Sequence, residues 1–201
     1  MREQNRFDAS LEGLFRMRGT AEPKVLEWSG DEEEASLSAV HRGFSDEQAI
    51  WTHQRQIRFA ARRRVWWIVD ELSCVGRQGA ALPGGEPVFL RFPLAPEVVA
   101  QQRPEDRCPE PVSRRLGQAA ITTVTAAGLR ERLVFVLAAG RDRFWLAFDL
   151  PPGSTGETRE AVYSPRYGIT QPSHALVLTI PLSPVVRAVT VMHSPDPRRQ
   201  R

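Results

Sequence analysis

The chain has 201 residues, 41% of them apolar and 25% charged, which is long enough and apolar enough to bury one continuous core and excludes wholesale disorder or a fibrous repeat. No apolar run approaches the roughly 18 to 20 residues of a membrane-spanning helix, and MREQNRFDAS lacks a signal peptide's apolar stretch, so neither a membrane partner nor export is expected, and the location expected of the chain as written is cytoplasmic. The net charge of +3 comes from 27 basic and 24 acidic residues; Lys24 is the only lysine, and the arginines are interleaved with acids along the chain rather than clustered, so nucleic acid is not expected as a partner.

Strand signals dominate in chain order. They fall on KVLEW (24–28), ASLSAVH (35–41), AIWTHQRQIRF (49–59), VWWIVDEL (65–72) and PVFLRFPL (87–94). AAITTVTA (119–126), RLVFVLA (132–138), RFWLAFDL (143–150), HALVLTI (174–180) and VVRAVTVM (185–192) follow. Turn formers such as PGGEP, AAGRD and PPGSTGE separate them, and no stretch carries an amphipathic helical period. The expected fold is therefore all-β, an antiparallel β-sandwich with almost no helix, in one domain over residues 1–194. The polar, proline-bearing segment 101–118 is expected to be a long surface loop, and residues 195–201 a frayed tail. Cys74 and Cys108 have no CxxC spacing and too few companions for a disulfide framework or a zinc cluster.

If ARRR (61–64) is the turn between the third and fourth strands, an even loop sets Arg55 directly opposite Asp70, with His53 diagonally adjacent on the same face. Trp51, Ile57, Trp66 and Ile68 would share that face, and the tryptophan strand would be core. A carboxylate among these apolar side chains needs a partner. Arg55 can supply it as an ion pair, or His53 and Asp70 can together ligate a divalent metal, with zinc the fitting ion. His41 ends a strand just before a glycine, a rim position suited to an acid, a base or a solvated surface group. His174 and His193 have no company in sequence and read as structural. YSPRYG (163–168) brings Tyr163, Arg166 and Tyr167 together, either as a sugar platform or as caps of the sandwich edge. No nucleophile motif or phosphate-cradling glycine loop is present.

The order HRGF, WTHQRQIRF, WWIVDEL, LRFPLAPEV and YSPRYGITQPSHALVL resembles the carboxy-terminal domain of heparinase II/III-like polysaccharide lyases, and FDASLEGLFRMRGTAEPKVL resembles that family's entry into the β domain. The resemblance covers nearly the whole chain. It implies a β-sandwich that closes the substrate cleft of a two-part lyase, whose α/α toroid carries the principal acid and base and cleaves uronic-acid polysaccharides by β-elimination. An acidic polysaccharide is thus the expected partner, together with a toroid encoded upstream, and the chain alone is expected to be inactive. A full-length parent would reside in the periplasm or cell envelope. By the same resemblance His41 matches the family's His-x-Gly-aromatic histidine bordering the cleft, and His53 and Asp70 match two ligands of a structural metal found in some members. The third ligand belongs where this chain has Pro93, which cannot ligate. That departure leaves no cofactor expected, zinc at a degenerate site as the alternative, and the Arg55–Asp70 ion pair as the leading account of the aspartate. The competing reading is a non-catalytic carbohydrate-binding or interaction module using Trp51, Tyr163, Arg166 and Tyr167.

Overall fold

The computed structural model describes residues 23–45, 49–76, 87–109, 112, 131–166 and 168–194. Within them the chain forms eleven strands: β1 (Lys24–Gly30), β2 (Glu34–His41), β3 (Ala49–Ala60), β4 (Val65–Gly76), β5 (Val88–Pro93), β6 (Val99–Arg103), β7 (Glu131–Ala139), β8 (Asp142–Leu150), β9 (Thr155–Arg166), β10 (Ile169–Ile180) and β11 (Val185–His193). They build two antiparallel sheets, one of eight strands in the order β1-β2-β3-β4-β11-β8-β7-β6 and one of three in the order β5-β10-β9. The all-β expectation holds. The strand expected at 119–126 and the tail at 195–201 lie outside the described residues.

The facing sides of the two sheets make the main core. Trp51, Leu72, Cys74, Leu146, Phe148, Leu150, Val186 and Ala188 of the large sheet meet Val88, Leu176, Leu178 and Ile180 of the small one. A second cluster on the other side of the large sheet joins Val65, Val134, Ala147, Val189 and Val191 with Val112 and Cys108. Strands β7, β8 and β11 are therefore covered on both faces, which is why apolar residues stand at consecutive positions in them, as in LVFV (133–136) and WLAF (145–148), rather than in strict alternation. Neither cysteine is in a disulfide; Cys74 lies in the first cluster and Cys108 packs against the second.

Of the segment 101–118, expected as a long surface loop, the described residues 101–109 and 112 are more ordered than that, and the rest lie outside the described residues. Residues 99–103 are an edge strand paired with β7, Glu105–Arg107 form a 3-10 turn, and Val112 is fully buried. Edge strands face solvent, so VAQQR could be polar and still pair. Arg132 ties this segment down, donating to both carboxylate oxygens of Asp149 at 2.7 and 3.1 Å and to Glu105 at 2.9 Å. Strand β9 was hidden for the same reason: it is the edge of the small sheet, and most of its residues are exposed. Its Gly156 lies so close to Leu133, Leu178 and Phe135 that an added Cβ would stand 3.0 to 3.1 Å from their side chains.

The β3–β4 hairpin has the expected register. Its turn runs through Ala61, Arg62, Arg63 and Arg64, with Arg64 in the left-handed region at φ 52°. Arg55 consequently pairs with Asp70, and Ile57 with Ile68. The tryptophan strand is core only in part. Trp67 packs on the second cluster, whereas Trp66 is 40% exposed and stacks on Phe59 at 4.0 Å. Strands β1 and β2 contribute nothing to the buried core, and Val25, Leu26 and Trp28 stand in solvent.

Candidate functional site

Three neighbouring strands deliver the site. Antiparallel pairing sets His41 at the end of β2 opposite His53 of β3, and Arg55 of β3 opposite Asp70 of β4. Because partners and alternate residues share a face, all four side chains project from the same side of the sheet. They join in one hydrogen-bonded line. The Gly43 backbone N–H donates to His41 Nδ1 at 3.1 Å, which puts the His41 proton on Nε2. That Nε2–H donates to His53 Nδ1 at 2.9 Å, and His53 Nε2–H donates to Asp70 Oδ1 at 2.7 Å. Arg55 completes the line, donating from Nε to Oδ1 at 2.7 Å and from Nη2 to Oδ2 at 3.2 Å.

The line is self-consistent only with both imidazoles neutral. A second proton on His41 would face the Gly43 N–H, and a second proton on His53 would face the His41 N–H. Burial lowers the His41 pKa below the ordinary histidine value, and the repulsion a protonated His41 would meet from a protonated His53 and from Arg55 lowers it further. For Asp70, burial opposes ionisation, but the hydrogen bonds from His53 and Arg55 and the Arg55 charge outweigh it and hold the carboxyl below its usual range. Phe44 caps the pair of histidines, its ring 5.1 Å from His41 and 6.1 Å from His53. The loop carrying it is pinned by Ser45, whose Oγ accepts from the Trp51 N–H and donates to the Trp51 carbonyl.

His53 and Asp70 also face a cavity of about 440 Å³ between the sheets. Leu72, Val186 and Ala188 of the large sheet and Val88, Leu90 and Ile180 of the small one form its walls, with Phe44, Phe89 and Arg91 contributing to the lining. Nothing in the sequence announced it, since its walls come from four strands far apart in the chain. Phe44 was the nearest signal, lying inside HRGF. Tyr163 and Arg166 do not line the cavity; both are exposed at the end of β9, an edge strand. Tyr167 lies outside the described residues. Trp51 is 6% exposed within the main core, so it cannot stack on a sugar as the module reading required.

Residues 4–194 match the family model described as heparinase II/III-like, C-terminal. The chain belongs to the heparinase II/III-like family. Solved structures agree in fold: a heparinase III aligns with a TM-score of 0.53 at 12% identity over 86% of this chain. The heparan sulfate lyase HepC from Pedobacter heparinus aligns with 0.51 at 11% over 87%. The heparinase-like chain spans only about a fifth of either structure, 21% and 22%. No curated protein matches its sequence. None of the described helical turns is long and apolar enough to cross a membrane.

The structural metal that the resemblance implies does not suit the donors among the described residues. Both ring nitrogens of His53 are engaged, and His41 lies on the side of that ring away from Asp70, so the three side chains do not converge on one point. Arg55 holds the carboxylate with a fixed positive charge, Pro93 brings no donor, and among the described residues no three His, Cys, Asp or Glu side chains gather as a metal site.

Proposed function

We propose that this chain is the β-sandwich domain of a polysaccharide lyase that cleaves uronic-acid glycans by β-elimination, and that it works only beside an α/α toroid carrying the principal acid and base. Family membership over residues 4–194 is the observation that carries this reading. In β-elimination a base takes the proton at C5 of the uronate and an acid protonates the departing oxygen. His41 is the residue of this domain suited to take part. It sits at a strand end beside a loop, its burial favours the neutral form, and among the described residues its Nδ1 lone pair engages only the Gly43 N–H, at 3.1 Å. Asp70 and His53 orient it from behind, the division of labour of a carboxylate and an imidazole in acid–base sites generally. Tyr163 and Arg166 serve the same reading as outlying contacts to the acidic polymer. In this reading Arg55 and the histidine line hold the aspartate.

The purified chain incubated with heparin, heparan sulfate or alginate should release no unsaturated uronate, measured by ultraviolet absorbance, and turnover by the chain alone overturns the dependence on a toroid. Joined to its toroid, the protein should turn over one of these polymers and lose most of that activity on His41→Ala. Full activity of that variant removes His41 from the mechanism. Elemental analysis should find no stoichiometric zinc or calcium, and a chelator should leave the melting temperature unchanged.

A further inference from the structure

The cavity shares His53 and Asp70 with the histidine line, but its other walls are largely aliphatic and would offer a charged, hydroxyl-rich sugar few polar partners. Leu72, Val186 and Ala188 face Val88, Leu90 and Ile180 across it, and its volume of about 440 Å³ falls within the range of small-molecule sites. Ala188 is the direct cross-strand partner of Asp70, so a methyl group, the smallest apolar side chain available, stands next to the carboxylate and leaves room beside it. Asp70 is 4% exposed. Among the described residues its Oδ1 accepts two hydrogen bonds, from His53 and Arg55, and its Oδ2 one, from Arg55 at 3.2 Å. A carboxylate accepts about four, so the polar end of the cavity retains acceptor capacity.

We propose that this cavity is a binding site for a small, neutral, largely apolar molecule with one hydroxyl donor, a phenol or a short alcohol, whose hydroxyl donates to Asp70 while its body lies among the aliphatic walls. The electrostatics select the neutral head group. An anion would meet the Asp70 carboxylate, and a cation would meet a carboxylate already neutralised by Arg55. Phe44 adds an aromatic ring to the lining, which favours a ring over a straight chain.

The test compares three compounds of one shape on the full chain by calorimetry: para-cresol, toluene and para-toluate. Para-cresol should bind saturably with one site, toluene about ten-fold more weakly for want of the hydroxyl, and para-toluate not measurably. Ala188→Leu fills the space beside Asp70, and Leu90→Trp fills it from the opposite sheet. Either variant that keeps the near-ultraviolet circular dichroism of the parent should no longer bind para-cresol. Absence of saturable para-cresol binding, equal affinity for toluene, or undiminished binding by both folded variants overturns the proposal.

Discussion

Arg55 and Asp70 face each other directly across β3 and β4 and share a two-point hydrogen bond, with the carboxylate side chain 6% exposed and the guanidinium 43%. The geometry matches the planar fork of arginine to the two carboxylate oxygens, which lysine cannot reproduce. Asp70→Asn keeps the shape but removes the charge that Arg55 and His53 both address. It should cost about 2 kcal/mol in urea unfolding, below the value for a fully buried pair because Arg55 is partly solvated. Arg55→Lys should cost about 1 kcal/mol, since one point of the fork is kept.

Stability should fall on the acid side in two steps whose signs follow from the same line of groups. The folded His41 pKa lies below its unfolded value, so the unfolded chain binds the extra proton first. Its contribution is complete above the unfolded value of about 6.5 and declines as pH falls below it through the folded pKa. Asp70 is likewise depressed, so its contribution is present above about 3.9 and is lost as pH falls through its folded pKa. Urea midpoints measured from neutral to acid pH should decline through both windows. His41→Gln should flatten the upper one and leave the lower, and an unchanged upper slope in that variant would remove His41 as its source.

Arg64 occupies the left-handed region in the β3–β4 turn, where a side chain crowds its own backbone. Arg64→Gly relieves that contact but frees the unfolded chain, so the net gain should be small, up to about 1 kcal/mol. Arg64→Val, branched at Cβ, should destabilise by about 1 kcal/mol or more. Thermal melts of the two variants should move in opposite directions.

Thr190 is fully buried on the inner face of β11, and its hydroxyl has no hydrogen-bond partner among the described residues. Replacing it with the near-isosteric valine removes an unsatisfied polar group without opening a cavity. Thr190→Val should therefore be neutral or stabilise by about 1 kcal/mol. A loss of more than that in the melting curve would show that the hydroxyl is satisfied.

Much of the architecture was legible in the residues themselves. β-Branched and aromatic runs between glycine and proline turns mark most of the strands, and the short ARRR turn brings Arg55 opposite Asp70 before any other part of the fold is known. A loop this short allows few registers, so local chemistry determined that pair. The order of the motifs also determined the family. Edge strands β6 and β9 escaped, because a strand with a solvated face does not need the apolar alternation by which strands are recognised.

Only the tertiary structure decided what else surrounds the aspartate beyond Arg55 and His53. His41 reaches His53 across the seven-residue connection 42–48, too long for spacing to dictate a register, and without that contact each histidine looks solitary. β11, more than a hundred residues beyond β4, inserts between β4 and β8 and sets Ala188 against Asp70. The cavity beside them exists because two sheets pack there with small and medium side chains facing each other, a property of volumes contributed by distant strands that no local stretch of the chain contains.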